Sequence, residues 1–269
     1  MTNMTTNLMT YLNASPTAFH AAAEAAKAFL AAGDIQLKEG DAWDLQPGGK
    51  YLVTRQDSSV IGFHVGTKEP ADSGFRIAAA HTDSPGFRLK TETEDVSAGA
   101  LRVTAEVYGG PILSSWLDRD LSIAGRVVFD DGGKLASTLF NAFDAVAVIP
   151  SVAIHLNREV NKGIELNAQE KLRAVLSVSV DEQDKKGFLK RLIGKALGID
   201  AARIHDADLY LFSAEPARLI SGEDNMYVSG RIDNLGMSHA VMAALCGSSA
   251  AEPTCVAALF YSEEIGSMT

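Results

Sequence analysis

The pattern of hydrophobic and polar positions predicts a helical start for this chain. Small apolar residues, mainly alanine, recur at helical spacing over residues 18–32, and Gly33 follows them. Ser15 and Pro16 fit the N-cap and the first turn of that helix, and Gly33 fits its stop.

Alternating patterns follow this helix. Residues 51–55 and 59–65 alternate as the two strands of a hairpin. A short apolar strand at residues 76–80 then stops at the polar sequence HTDS. The first part of the chain therefore predicts a helix followed by strands of one sheet.

The pattern changes after residue 90. The segments LRVTAEVYGG, AGRVVFDDGGKLAST, KLRAVLSVSV and DLYLFSAEPARLI are rich in β-forming residues and are joined by turn residues. One amphipathic helix, GFLKRLIGKALGID, interrupts them and ends at Gly198. From about residue 227 the alternation returns, with Asn234 as the cap of a helix and an apolar strand at residues 255–260.

These patterns predict a mixed α/β fold in which helices flank the sheet and a β-rich insertion interrupts the domain. The α/β domain comprises residues 1–90 and 227–269. The insertion comprises residues 91–226.

Composition narrows the classes of function. The formal net charge is −10, so the chain lacks the excess of Lys and Arg that binds nucleic acid, and we expect no such partner. No apolar run approaches a membrane span, so we expect no membrane partner either. Cys246 and Cys255 are the only cysteines, which favours packing roles in a reducing cytoplasm over a disulfide framework.

Candidate chemistry lies where apolar strands end, because open α/β sheets bind ligands there. The first such strand leads into His81-Thr82-Asp83. A neutral imidazole can bind zinc through one ring nitrogen while its other N–H needs an acceptor, which a carboxylate commonly supplies. Spacing leaves open whether Asp83 bonds His81 directly, and a lone histidine at a strand end is more often structural.

The second strand leads into two adjacent acids, Glu263 and Glu264. Neighbouring carboxylates repel each other unless a cation lies nearby, and they can divide labour between metal binding and proton transfer. Asp233 precedes a helix, where it either favours the positive end of the helix dipole or bridges two metal ions. A solvated loop is the alternative interpretation of the two glutamates.

Seven distinctive stretches are spread along nearly the whole chain, and each occurs once: SPTAFHA, AAHTDSPGFRLK, GGPILSSWLDRDLSIAGRVV, IPSVAIHLNRE, DLYLFSAEPA, SGRIDNLG and SEEIGS. In this order they resemble the aspartyl aminopeptidase family of di-zinc metallopeptidases. That family has an α/β zinc-peptidase domain that carries an inserted β-rich dimerisation domain. The resemblance agrees with the change of pattern near residues 91 and 226.

The resemblance implies a role for each candidate residue. His81 would be a ligand of one zinc ion, Glu264 a ligand of the other, and Asp233 the bridge between both. Glu263 would be the general base, and Asp83 would support His81.

The resemblance also implies substrates and partners. The family reaction removes an N-terminal residue, preferably Asp or Glu, from a peptide, with two zinc ions as cofactors or other divalent metals such as Co or Mn. The chain would form a dimer-based homo-oligomer, such as a dodecamer. His155 resembles a family histidine that reaches the active site of a neighbouring subunit, and the alternative is a loop residue at the insertion surface.

Family members continue beyond the Glu-Glu pair and supply further zinc ligands there, so we expect this chain to be an incomplete family domain. Roughly two protein ligands per zinc ion would remain, against the three of a catalytic site. We therefore expect weak zinc binding and little or no peptide hydrolysis. A catalytically inactive fragment with an assembly or binding role is the alternative function.

Overall fold

The computed structural model describes residues 3–163, 165–167, 171–178, 187–221, 223 and 226–266. The chain divides into two compact units, and each has a hydrophobic core of its own. The first unit comprises Met1–Ser84 and Pro216–Thr269, and the second comprises Pro85–Glu215. In the sequence, the second unit thus interrupts the first.

The first unit combines helices with a mixed sheet. Its helices are α1 Asn3–Ala14, α2 Ala18–Ala31, α3 Pro70–Ser73 and α5 Ile232–Cys246. Its strands are β1 Ile35–Leu37, β2 Lys50–Arg55, β3 Ser59–His64, β4 Phe75–His81, β11 Arg218–Leu219, β12 Tyr227–Val228 and β13 Thr254–Phe260.

The sheet of the first unit has the strand order β1-β2-β3-β13-β4. β2 and β3 form the predicted hairpin, and the predicted strand at residues 76–80 is β4, which pairs in parallel with β13. The helices α1, α2 and α5 supply most of the core on one face of this sheet. The strands contribute Leu52, Val60, Ala257 and Leu259 to that core.

The start of α2 differs from the prediction. Thr17, rather than Ser15, is the N-cap residue, so Pro16 precedes the helix instead of lying in its first turn, and Thr17 makes no side-chain capping bond. Its hydroxyl lies 2.8 Å from Nδ1 of His20 instead, so a side-chain pair replaces the cap. The predicted stop is confirmed, because the helix ends before Gly33, whose φ of +92° suits a residue without a side chain.

The second unit is β-rich. Its strands are β5 Gly86–Ser97, β6 Ala100–Tyr108, β7 Leu121–Asp130, β8 Leu135–Asn141, β9 Ala174–Val178 and β10 Ile204–Ser213, and its helix is α4 Phe188–Leu197. The six strands form a sheet in the order β8-β7-β10-β5-β6-β9, and all neighbours pair antiparallel.

The predicted amphipathic helix is confirmed as α4. Leu189 and Ile193 are buried in the core of the second unit, and Gly198 ends the helix in a left-handed conformation. The residues DDGGK form the turn between β7 and β8, with positive φ at Gly132 and Gly133. The last two residues of the segment KLRAVLSVSV lie outside the described residues.

The unit boundaries correct those predicted at residues 91 and 226. Residue 91 lies inside β5, which pairs with β6 and β10, so the polar residues that begin there belong to one continuous strand. At the other end, Ala217 already packs in the core of the first unit, and its N–H donates to Oδ1 of Asn13 at 2.7 Å. At both ends of the second unit, the amino-acid composition therefore changes several residues after the structural boundary.

Both cysteines pack as the sequence predicts. Cys246 and Cys255 are half-buried free thiols that lie against the core of the first unit. Burial raises the pKa of the Cys246 thiol, and the nearby Asp34 carboxylate adds to that shift. Among the helices that the structure describes, none combines the length and the apolar character needed to cross a membrane.

Candidate metal centre

Two neighbouring strands deliver the candidate residues to one edge of the first unit's sheet. β4 and β13 run parallel, and Phe260 lies opposite His81 in the register. The N–H of Thr82 donates to the carbonyl of Phe260 at 2.7 Å, which extends the pairing past the last register position. The residues that follow each strand therefore lie side by side.

The side chains of His81, Asp233 and Glu264 converge at this edge. One potential ligand atom from each lies within 4.8 Å of the others. Nε2 of His81 is 3.6 Å from Oδ1 of Asp233 and 3.6 Å from Oε2 of Glu263. We call His81, Asp83, Asp233, Glu263 and Glu264 the His81 cluster. It surrounds one histidine with carboxylates.

Helix α5 holds the backbone of His81 on both sides. The N–H of His81 donates to Oδ1 of Asn234 at 3.3 Å, and its carbonyl accepts from Oγ of Ser238 at 2.6 Å. Asn234 and Ser238 are four residues apart, and their side chains hold the backbone N–H and the carbonyl of the same residue. The sequence predicts Asn234 as a cap, but its side chain binds β4 instead.

The imidazole of His81 is oriented by Asp83. Nδ1 lies 3.1 Å from the carbonyl oxygen of Asp83 and 3.3 Å from its carboxylate oxygen Oδ1. A carbonyl oxygen only accepts, so Nδ1 carries the hydrogen and Nε2 keeps its lone pair on the side of Asp233 and Glu263. The structure thus answers the question that spacing left open, because Asp83 contacts His81 directly.

Asp83 also reaches the other strand. It is buried, and its Oδ2 accepts the backbone N–H of Glu264 at 3.1 Å. One carboxyl group therefore contacts both the histidine and the segment that carries the two glutamates. Such an arrangement fixes ligand positions before any ion binds.

Local backbone geometry presents the acids. Asp233 and Asn234 have non-helical φ and ψ at the start of α5, so the carboxylate of Asp233 leaves the helix before its regular part begins. Ser262 has a φ of 73° and turns the chain into a short 3₁₀ helix, Glu263–Ile265. The side chains of Asp233 and Glu263 are 70% and 59% exposed.

Arg231 connects this region to the first helix. Its guanidinium donates to the carbonyl of Ser15 at 3.0 Å and to the carbonyl of Leu12 at 3.2 Å. A cation at the carboxyl end of a helix interacts favourably with the helix dipole. Burial lowers the pKa of Arg231 to about 10, so the guanidinium remains charged at neutral pH.

The electrostatics of the His81 cluster favour a cation. Burial raises the pKa of Glu264, and the Asp233 carboxylate raises it further, with smaller effects of Asp83 and Glu263. One imidazole nitrogen with several carboxylate oxygens is a donor set that zinc accepts. The residues present therefore fit a zinc ion.

His64 and His20 are also buried in the first unit. Nε2 of His64 lies 3.3 Å from Oδ1 of Asp34, and its Nδ1 lies 3.0 Å from Oγ of Ser248. We call Asp34, His64 and Ser248 the His64 cluster. His20 has the hydroxyl of Thr17 as its partner, and burial lowers its pKa to about 4, with Arg231 adding to the effect.

Sequence analysis missed the residues that act through others. No local pattern distinguishes Arg231. For Asn234 and Ser238, the spacing of four residues was the one signal that the sequence offered. His155 is an exposed residue of a turn in the second unit and does not belong to the His81 cluster. His239 is buried beside Tyr11.

Comparison with known proteins decides the family. The sequence profile described as "Aminopeptidase I zinc metalloprotease (M18)" matches residues 11–269. The chain belongs to the M18 family. The resemblance inferred from the sequence is thereby confirmed, and with it the zinc metalloprotease class of this family.

Curated relatives of this M18 chain come from several bacteria. It is 39% identical over 265 residues to the probable M18 family aminopeptidase 2 of Clostridium novyi, covering 97% of this chain and 61% of that protein. Its identity to the protein of the same name from Pseudomonas aeruginosa strain LESB58 is 41% over 262 residues, with coverage of 97% and 61%. The chain thus spans about three fifths of the length of these relatives.

Solved structures show the same mixed α/β fold. A chain in the cryo-EM structure of the Ape4 and Nbr1 complex matches with a TM-score of 0.90 and 32% identity, covering 99% of this chain and 55% of that one. The mApe1 of Chaetomium thermophilum matches with a TM-score of 0.89 and 32% identity, with coverage of 98% and 63%. An M18 aminopeptidase from Thermotoga maritima, at 19% identity and a TM-score of 0.79, agrees in fold alone.

Proposed function

We propose that this chain is the part of a zinc aminopeptidase that binds the metal through the His81 cluster and removes N-terminal residues, preferably Asp or Glu, from peptides. The observation that carries the proposal is the convergence of His81, Asp233 and Glu264, whose ligand atoms lie within 4.8 Å of one another. Membership of the M18 family supports the reaction class. The preference for acidic residues rests on the sequence resemblance.

Each member of the cluster has a proposed task. His81 would hold one zinc ion, Glu264 the other, and Asp233, with two carboxylate oxygens, both. Zinc, or Co or Mn in its place, would supply a Lewis acid that polarises the scissile carbonyl and acidifies water. Asp83 would keep Nδ1 of His81 protonated, so that Nε2 stays available as a ligand.

Glu263 is the proposed general base. Its carboxylate is exposed to solvent and lies beside the imidazole of His81, with Oε2 3.6 Å from Nε2. A carboxylate in this position can take a proton from water that attacks a peptide carbonyl and return it to the leaving amine. Its neighbour Glu264 is half-buried and bonded through its N–H to Asp83, so the two adjacent glutamates have different environments.

We also propose a dimer-based homo-oligomer in the cytoplasm, without nucleic-acid or membrane partners. One relative in fold is described as the S. cerevisiae mApe1 dodecamer. The proposed dimerisation surface lies in the second unit, and exposed His155 would reach the active site of a neighbouring subunit.

A second candidate function is a catalytically inactive fragment that serves assembly or binding. The observation that favours it is the length of the chain, about three fifths of its curated relatives. In the described residues, the group of potential ligands contains His81, Asp233 and Glu264. Three residues shared between two ions fall short of about three protein ligands for each catalytic zinc.

The test combines zinc stoichiometry with turnover of an Asp-anilide substrate. We expect the purified chain to bind zinc weakly with little turnover. A chain extended with the remaining part of an M18 domain should release Asp, and Glu263→Gln should lower kcat about 10²–10⁴-fold while zinc stays bound. Glu252→Gln, at an exposed residue paired with Lys68, is the matched control.

The outcomes separate the two candidates. Undiminished turnover in Glu263→Gln with zinc bound would show that Glu263 is not the base. An extended chain that binds zinc but releases no N-terminal residue would favour the binding role. Robust turnover by the purified chain alone would show that the ligand count is wrong or that another chain completes the site.

A further inference from the structure

The last residue of β4 directs its backbone groups away from the partner strand. Among the described strands, β4 pairs with β13, and on that side the N–H of Thr82 donates to the carbonyl of Phe260 at 2.7 Å. Successive residues of a paired strand direct their N–H and C=O groups to opposite edges. The backbone groups of His81 therefore face away from β13.

Two side chains of α5 bind these backbone groups of His81. Oδ1 of Asn234 accepts the N–H at 3.3 Å, and Oγ of Ser238 donates to the carbonyl at 2.6 Å. Ser238 is 0% exposed and Asn234 is half-buried, so solvent competes little for either bond. At His81, side chains of a helix thus supply the acceptor and the donor that a neighbouring strand would otherwise supply.

The opposite side of the strand end is held by Thr82. Its hydroxyl is buried and lies 2.7 Å from the carbonyl oxygen of Ser58 and 3.1 Å from that of Phe260. The two sides have separate tasks. Thr82 holds β4 against β13, which leads to Glu264, whereas Asn234 and Ser238 hold β4 against α5, which carries Asp233.

The position of the Asp233 carboxylate depends on the contact between β4 and α5. The side chain is 70% exposed, and its Oδ1 lies 3.6 Å from Nε2 of His81. Two side chains on different elements keep a fixed separation only where those elements are joined beside them. Asn234 and Ser238 make that junction at one and five positions after Asp233.

We propose that Ser238 and Asn234 are positioning residues of the candidate metal centre. By holding the backbone of His81, they set the separation between its imidazole and the carboxylate of Asp233. The proposal rests on the proposed function, in which His81 and Asp233 bind the metal. Removal of a hydrogen-bond partner that orients a metal ligand typically lowers metal affinity about 10–100-fold.

The experiment is a titration of the purified chain with Co²⁺, followed by visible absorption, which reports the geometry of the ligands around the ion. Ser238→Ala removes the hydroxyl that donates to His81. We expect the Kd for Co²⁺ to rise about tenfold and the absorption bands to shift. Asn234→Ala acts on the N–H of the same residue and should have the same effect, so a variant that fails to fold leaves the other as the test.

Ser248→Ala is the matched control. The hydroxyl of Ser248 donates to the carbonyl of Leu245 at 2.8 Å, close to the end of α5. Its other contact is His64, which pairs near the start of β13, whereas His81 pairs with its last residue. Urea titrations should show a lower midpoint for both serine variants, because each loses a hydrogen bond. The Kd for Co²⁺ should rise in Ser238→Ala and stay unchanged in Ser248→Ala.

Two results would overturn this proposal alone. One is a Kd and a spectrum that stay the same in Ser238→Ala and Asn234→Ala, since both residues would then support only the fold. The other is an equal rise of the Kd in Ser248→Ala, because metal affinity would then follow stability. An unaltered chain that binds no Co²⁺ would instead overturn the proposed function and this proposal with it, so the two failures are distinguishable.

Discussion

The His81 cluster and the His64 cluster lie at opposite ends of β13, and their side chains have different surroundings. Register places His64 opposite Cys255 at the start of β13 and His81 opposite Phe260 at its end. His64 is buried with one carboxylate, Asp34, whereas His81 meets several carboxylates at an exposed edge.

The two clusters differ in the ratio of acids to histidine, and this ratio distinguishes the proposed metal site from a buried structural pair. In the His64 cluster one imidazole and one carboxylate can balance each other without any ion. In the His81 cluster the acids outnumber the histidine, and the excess negative charge favours a bound cation. His20 completes the series, because it is buried without an acid and its pKa falls accordingly.

The largest effect should come from breaking the balanced pair. His64→Leu leaves the Asp34 carboxylate buried without its partner, so we expect the free energy of unfolding to fall by about 3–5 kcal/mol in urea titrations. Asp233→Asn removes an exposed negative charge that lies among other carboxylates, so the free energy of unfolding should change by no more than about 0.5 kcal/mol. Equal losses in the two variants would contradict the distinction between the clusters.

Lowering the pH should destabilise the folded chain through His20, which is buried without a carboxylate partner. The pKa of His20 is about 4 in the folded chain against 6.5 for an ordinary histidine. The unfolded chain therefore binds the proton first, and the stability present above pH 6.5 is lost as the pH falls toward 4, by about 3 kcal/mol. His20→Gln should flatten this part of the pH profile, whereas His205→Gln, at an exposed histidine, should not. An unchanged slope in His20→Gln would assign the acid sensitivity to other groups.

Zinc should stabilise the folded chain by binding to the His81 cluster and not to the His64 cluster. At a zinc concentration of about a hundred times its Kd, the free energy of unfolding should rise by about 2.7 kcal/mol, and His81→Ala should abolish the gain. His205→Ala controls for zinc bound at exposed histidines. A gain that survives in His81→Ala would place the metal elsewhere.

The smallest expected effect concerns the residue that orients His81. Asp83→Asn keeps the shape of the side chain but removes its charge, so zinc affinity should fall about 10–100-fold in calorimetric titrations. Asp41→Asn, at an exposed residue, should leave the affinity unchanged. If Asp83→Asn binds zinc as tightly as the unaltered chain, the backbone carbonyl of Asp83 alone orients the imidazole.

Most of the fold was predictable because its signals are local. The hairpin of β2 and β3 and the stripe of α4 follow from periods within a few residues. The N-cap of α2 was predicted wrongly, since the Thr17–His20 side-chain pair is not visible as a pattern. The boundary at residue 91 was wrong because a strand can pass from apolar to polar residues without leaving its sheet.

The candidate site was predictable in composition but not in geometry. His81, Asp233 and Glu264 follow from strand ends and a helix start. The contacts of His81 with Asn234 and Ser238 join residues far apart in the sequence, at separations of 153 and 157 positions. The His64 cluster was missed for the same reason, because His64 and Ser248 are separated by 184 positions.

Arg231 bonds to carbonyl oxygens at and just beyond the end of α1, so the first helix supports the segment that leads into the candidate site. Arg231 is separated from Leu12 by 219 positions and from Asp233 by one residue. Proteolytic removal of α1 would take away the carbonyl of Leu12, one of the two acceptors that hold Arg231 beside the start of α5. Processing within the first helix would therefore weaken a support of the candidate site without altering any of its proposed ligands.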